Sequence, residues 1–148
     1  MVTAERFAQG MTFPEYLARM SVNRERFARR LAEAEIRPED HEALHALGRG
    51  LKILVITEDW CGDALVSFPA LARLAEDVPD LEMRVFLRDE NPDVMNQYLK
   101  RGQFRTIPVF VFLDERMTEV ARFMERQDVL NELRKLTLRS SPSRPLST

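Results

Sequence analysis

Apolar residues in this chain recur with one period before residue 50 and with another after it. Phe13, Tyr16, Leu17 and Met20 form one stripe behind a capping box of Thr12 and Glu15, which predicts a short helix. A second helix is expected from Asn23, with Phe27, Leu31 and Ala34 on one face. A third starts at Pro38, carries Leu44 and Leu47 inward and stops at Gly48. After Gly50 the run Leu51-Lys52-Ile53-Leu54-Val55-Ile56-Thr57 is mostly apolar and β-branched, as a strand buried on both faces requires.

Helical spacing returns over 64–76 with Leu65, Phe68, Leu71, Ala72 and Ala75, and Pro79-Asp80 breaks it. A strand over 81–87, a helix over 93–101 ending at Gly102 and a strand over 107–113 follow. Asp114-Glu115-Arg116 reads as a tight turn, 117–123 as a weaker edge strand, and 128–138 as a final helix using Val129, Leu130, Leu133 and Leu136. The order is β-α-β-α-β-β-α behind a helical lead, an α/β fold with a mixed four-stranded sheet flanked by helices. Strands separated by helices are expected to run parallel through right-handed crossovers, and the last two, joined by a tight turn, antiparallel. The expected division is an α-helical N-terminal extension over 1–50, the α/β domain over 51–139 and a disordered Ser/Pro-rich tail over 140–148.

A chain of 148 residues, 45% hydrophobic, is long enough for one domain with a core of its own. Its 22 basic and 24 acidic residues leave a net charge of -2 without a long basic stripe, so nucleic acid is not an expected partner. The N-terminus is charged where a signal peptide needs an apolar core, and no window approaches the ~20 apolar residues of a membrane span. The expectation is a cytoplasmic protein with no membrane partner. Its one cysteine, Cys61, cannot form an internal disulfide, so in a reducing compartment its interest is chemical.

Cys61 lies in Glu58-Asp59-Trp60-Cys61-Gly62-Asp63-Ala64, at the join between the first strand and the next helix. Pro69 follows eight residues later, and Thr106-Ile107-Pro108 opens the third strand. This order with these three signals resembles the thioredoxin family, over about residues 51–138. The resemblance implies a thioredoxin-like fold in which Cys61 is the nucleophile, Pro69 bends its helix and Pro108 is a cis-proline preceded by a β-branched residue. The chain departs from the family at several points. Ala64 stands for the second cysteine of Cys-x-x-Cys, and Val55 for the buried aspartate that handles that cysteine's proton. No glycine stands near 117–126. Both parts of the resolving machinery are missing together, so the resemblance is to a single-cysteine variant. The EDWCGDA and RDEN strings and the helical lead are similar to a subset of bacterial thioredoxin-like proteins.

A free thiol with a pKa of about 8.5 is only a few per cent ionised at neutral pH. A helix N-terminus favours the thiolate by about 0.3 to 1 kcal/mol, up to ~2 when partly buried. Glu58, Asp59 and Asp63 oppose it as like charges, so moderate activation is expected. One thiol supports a monothiol thiol-disulfide oxidoreductase cycle. Cys61 takes the small thiol from a mixed disulfide, and a second small thiol, such as glutathione or bacillithiol, releases it. No cofactor is required beyond that low-molecular-weight co-substrate, and the partners are protein thiols or mixed disulfides. Cys61 is the candidate catalytic residue. Candidate substrate-binding residues are Trp60 as an apolar wall, Gly62 and Asp63 beside it, and Thr106, Ile107 and Pro108, where a cis bond presents the Ile107 backbone to an extended cysteinyl substrate. Arg88, in the turn after the second strand, joins them as a ligand for a substrate carboxylate or a counter-charge. The alternative is a non-catalytic binding or redox-sensing module on the same fold.

His41-Glu42-Ala43-Leu44-His45 matches the HExxH helix of zinc hydrolases. These are the only two histidines, so a third ligand would have to be a carboxylate, and the charged start after Pro38 favours a solvated face. Cys-Gly-Asp-Ala also differs from the Cys-Gly-Phe-Ser of glutaredoxins that hold an iron-sulfur cluster. The lead helices are expected to cover a sheet face or an open edge, or to form a dimer surface.

Overall fold

In the computed structural model, which describes residues 1–139, the lead folds into α1 (Ala4–Ala8), α2 (Phe13–Arg19), α3 (Arg24–Glu33) and α4 (Pro38–Leu47). There follow β1 (Lys52–Thr57), α5 (Gly62–Glu76), β2 (Glu82–Leu87), a 3-10 turn (Arg88–Glu90), α6 (Pro92–Met95), β3 (Val109–Leu113), β4 (Glu119–Met124) and α7 (Val129–Arg139). The tail expected to be disordered lies outside the described residues. Among those residues no helix is long and apolar enough to cross a membrane.

β1 is central in a sheet of order β2-β1-β3-β4, and Ile53 to Thr57 are buried, as a strand covered on both faces must be. One face carries Ile53, Val55, Phe110 and Phe112 and packs against α2 to α5 and α7. Rings run from the lead to the sheet: Phe13 to Phe27 at 6.0 Å, Phe27 to Phe68 at 5.4 Å, and Phe68 to Phe110 at 5.6 Å. Fully burying one such side chain stabilises the fold by about 1.5–3 kcal/mol. The opposite face, with Leu54, Ile56, Phe86, Val109 and Val111, is covered by Val2 and Phe7 of the first segment and by Val94, Met95 and Tyr98. The lead therefore packs on both faces of the sheet. It also reaches the β2 edge, where Met11 and Val85 exchange backbone hydrogen bonds of 3.0 and 2.7 Å. Gly10 permits this approach, since a Cβ there would lie 2.6 Å from the Phe86 ring.

The capping box of Thr12 and Glu15, the start of α4 at Pro38 and the stop at Gly48 follow the sequence reading. A short helix, α1, capped by Thr3, precedes the region where the helical stripe begins. Two expectations, one of a helix's length and one of a strand's direction, need correction. The helix expected over 93–101 is only the turn Pro92–Met95. The Gln97 and Tyr98 N–H groups bond to carbonyls three residues back, and Arg101 and Gly102 both take positive φ. The expected parallel direction of the third strand also fails: β1 and β2 are parallel, but β3 is antiparallel to β1, with Ile56 opposite Val109. The physical reason is shared. A parallel crossover must carry the chain back along the strand, and a four-residue helix spans only about 6 Å. The chain therefore re-enters the sheet at the edge where β1 and β2 end. The last strand starts at Glu119 rather than 117, because Met117 takes a positive φ in the turn and the Asp114 side chain accepts the Arg116 and Thr118 N–H groups.

Candidate thiol site

The antiparallel entry of β3 brings residue 108 to the end of β1 where Cys61 lies. The chain leaves β1 through a turn closed by the Cys61 N–H donating to the Glu58 carbonyl at 3.1 Å, and Cys61 is the N-cap of α5 in extended conformation. The Ile107-Pro108 bond is cis. Cys61 Sγ lies 3.7 Å from the Ile107 carbonyl oxygen, to which the thiol donates, and only 8% of the residue's surface is exposed. Ala64, in the place of a second thiol, is buried beside it in the same apolar cluster. Pro69 lies inside α5.

The carboxylates that the sequence sets against a thiolate each have a partner. Glu58, 9% exposed, accepts the backbone N–H of Asp89 at 3.0 Å. Asp59 Oδ2 accepts the N–H groups of Ser21 at 2.9 Å and Val22 at 3.1 Å, while the Asn23 side-chain amide donates to the Asp59 carbonyl at 3.1 Å. Asp63 pairs with Arg126 at 2.6 Å. The Glu58-Asp59-Trp60 and Arg88-Asp89-Glu90 strings are thus joined physically, and Arg19 of the lead pairs with Glu90 across them.

Trp60 is half exposed, and the Arg88 guanidinium stands 5.1 Å from its ring centroid. Arg88 also pairs with Asp89 at 2.9 Å and donates to the Arg105 carbonyl at 3.3 Å, which ties the turn after β2 to the segment before β3. Arg105 approaches Asp89 at 3.4 Å and holds that carboxyl, with Arg88 as the larger cause, below its ordinary pKa. Gly62 opens α5 with free space where a Cβ would stand. Thr106 and Ile107 precede β3, Thr106 half-buried and Ile107 buried. Cys61 and Ile107 are brought into contact, Trp60 and Arg88 stack on each other, and Asp63 is drawn toward Arg126.

Sequence reasoning missed the contribution of the lead. Tyr16, read as part of a core stripe, is buried behind the thiol turn, where the Thr57 hydroxyl donates to the Glu58 carbonyl at 3.4 Å. Burial, with the Asp59 carboxylate beside it, raises the pKa of this phenol far above the ordinary value, and it stays neutral. Ser21 and Asn23 carried no signal beyond a helix start. Ser67 also escaped notice: its hydroxyl donates to the carbonyls of Asp63 at 3.0 Å and Glu125 at 2.8 Å, tying α5 to the loop after β4.

On α4, His41 Nε2 lies 3.6 Å from Asp77 Oδ2, while Glu42 and His45 are exposed. Among the described residues no group of three or more His, Cys, Asp or Glu is placed to hold a metal ion.

No curated protein matches the chain. Among solved structures, a Pseudomonas aeruginosa protein of unknown function superposes with a TM-score of 0.71 at 22% identity, over 95% of this chain and 87% of that one. An HIV epitope-scaffold gives 0.71 at 23% identity over 90% and 88%, and a Fasciola hepatica thioredoxin gives 0.48 at 23% over 66% and 88%. At such identities the first two show a common fold. The thioredoxin family model matches residues 10–137, taking in most of the helical lead as well as the sheet. With that match across most of its length, the chain belongs to the thioredoxin family.

Proposed function

We propose that the protein is a monothiol thiol-disulfide exchange protein acting on mixed disulfides between protein thiols and a small thiol. The observation that carries this reading is the seat of Cys61 Sγ at the start of α5, 3.7 Å from the Ile107 carbonyl, with Ala64 where a resolving thiol would stand. The Ile107 N–H has no hydrogen-bond partner among the described residues, so an extended cysteinyl segment can pair there as a short added strand. Trp60 supplies an apolar wall beside the sulfur.

In the first step the Cys61 thiolate attacks the small-thiol sulfur of the mixed disulfide. A bond forms between Cys61 and the small thiol, and the protein sulfur leaves with the electron pair as a thiolate. In the second step a further molecule of the small thiol, as thiolate, attacks the small-thiol sulfur held on Cys61. The products are the small-thiol disulfide and the Cys61 thiolate. The small thiol, of the glutathione or bacillithiol class, is the reductant, and one cysteine suffices. Such a reductant fits a cytoplasmic setting.

The test is release of the small thiol from a glutathionylated or bacillithiolated model peptide by wild type and Cys61→Ser. Release above background by wild type alone supports the reading, and equal background release by both refutes it. A second reading is favoured by the 8% exposure of Cys61: a module that docks extended peptides without turnover. Peptide binding retained in Cys61→Ser, with no release by wild type, is its signature.

A further inference from the structure

We propose that Asp59 is a positioning residue for Cys61, through which the N-terminal helical lead sets the direction from which the sulfur can be attacked. Asp59 is the second residue of the turn that the Cys61 N–H closes onto the Glu58 carbonyl. Its carboxylate and its carbonyl are both held from the lead: Oδ2 by the N–H groups of Ser21 and Val22, and the carbonyl by the Asn23 side chain. The residue before it is anchored on the other side, where Glu58 accepts the Asp89 N–H at 3.0 Å. Behind the turn, the Thr57 hydroxyl donates to the same Glu58 carbonyl that receives the Cys61 N–H. The path of the chain into Cys61 is therefore fixed from the lead on one side and from the loop after β2 on the other.

This matters because the sulfur is nearly covered. With 8% of Cys61 exposed and Sγ turned to the Ile107 carbonyl, attack is open from a narrow range of directions. Exchange requires the attacking, central and leaving sulfurs to lie nearly in line, so a small rotation of the turn is costly. A carboxylate two residues from a thiolate disfavours it electrostatically. Here the carboxylate binds backbone donors, and its role is to hold the turn.

The test uses the full chain and two neutral reagents. Dithiodipyridine is a disulfide: the Cys61 thiolate attacks one of its sulfurs, forms a mixed disulfide and expels pyridinethiolate. Iodoacetamide is a small alkylating agent with weaker directional demands. For wild type, Asp59→Ala, Asp59→Asn and Asn23→Gly, the ratio of the two rates is measured across pH. Asn23 has φ 63°, so glycine keeps that backbone while removing the amide. Asp59→Ala is expected to lower the ratio about tenfold, and Asn23→Gly to lower it in the same direction. Asp59→Asn keeps an oxygen for Ser21 and Val22 and is expected to stay near wild type. A ratio unchanged in both Asp59→Ala and Asn23→Gly overturns the proposal, as does Asp59→Asn matching Asp59→Ala, in a loss or in a gain. The proposal deepens the monothiol reading, but these reactions are stoichiometric. Failure of wild type to turn over a mixed-disulfide peptide would refute that reading and leave this measurement decisive on its own.

Discussion

Glu58 and Asp89 are bonded directly: the buried carboxylate at the end of β1 accepts the backbone N–H of the loop after β2 at 3.0 Å. The contact locks together the ends of two parallel strands, and the thiol turn starts from it. Glu58→Ala leaves the Asp89 N–H without its acceptor and is expected to cost about 1–3 kcal/mol. The measurement is urea unfolding, with a lower midpoint at unchanged slope. Glu58→Gln, which keeps an acceptor oxygen, should recover most of the loss, and an equal loss in both variants would refute the account.

Trp60 is the chain's single tryptophan, half exposed beside Cys61 with Arg88 at its face. Its emission should report the state of the thiol. Treatment with oxidised glutathione is expected to change the fluorescence, dithiothreitol to reverse the change, and Cys61→Ser to abolish it. Arg88→Ala removes a cation-π contact worth about 0.5–1 kcal/mol at an exposed site and should shift emission of the reduced protein.

Acid should loosen the attachment of α1. Arg6 bonds Asp93 at 2.9 Å and holds that carboxyl below its ordinary pKa. A carboxylate whose pKa is lowered by folding contributes stability above its unfolded value of about 4, and that contribution is lost as pH falls through the lower folded value. Arg6→Gln removes the Asp93 share. The stability gap between wild type and Arg6→Gln should therefore be present at neutral pH, close below about pH 4, and shrink in salt because the pair is largely solvated. A gap independent of pH would show that Arg6 acts through packing on Phe86, which it covers at 5.3 Å.

Asp40 joins α4 to α7. Its buried carboxylate pairs with Arg134 and accepts the Arg37 N–H at 2.9 Å. Asp40→Ala strands the Arg134 charge, whose side chain is 22% exposed, and is expected to cost about 3 kcal/mol, at the low end for a broken buried pair because water still reaches the guanidinium. For a chain of this length that is a fall of about 6 to 12 °C in the melting temperature. An unchanged melting temperature would show that the pair adds nothing to packing between α4 and α7.

The elements legible in the sequence were those whose signals are local. Thr12 and Glu15 bracket α2, Pro38 opens α4, the β-branched run after Gly50 makes β1, and Leu65, Phe68, Leu71 and Ala72 line α5. The short α6 was overread because Val94, Met95 and Tyr98 are buried at nearly helical spacing while the backbone closes tighter turns through that stretch.

The single thiol, the absent partner at Ala64, the proline at 108 and the helical character of the lead were determined by the sequence alone, since each depends on residue identity or on neighbours a few positions apart. Only the tertiary structure decided that β3 enters antiparallel and so meets Cys61, that Glu58 finds Asp89, and that Ser21, Val22 and Asn23 hold Asp59. These contacts join residues 31 to 46 positions apart. Such pairings follow from how far short connections can reach and which backbone donors remain unpaired after the core packs, and neither leaves a periodic trace in the chain.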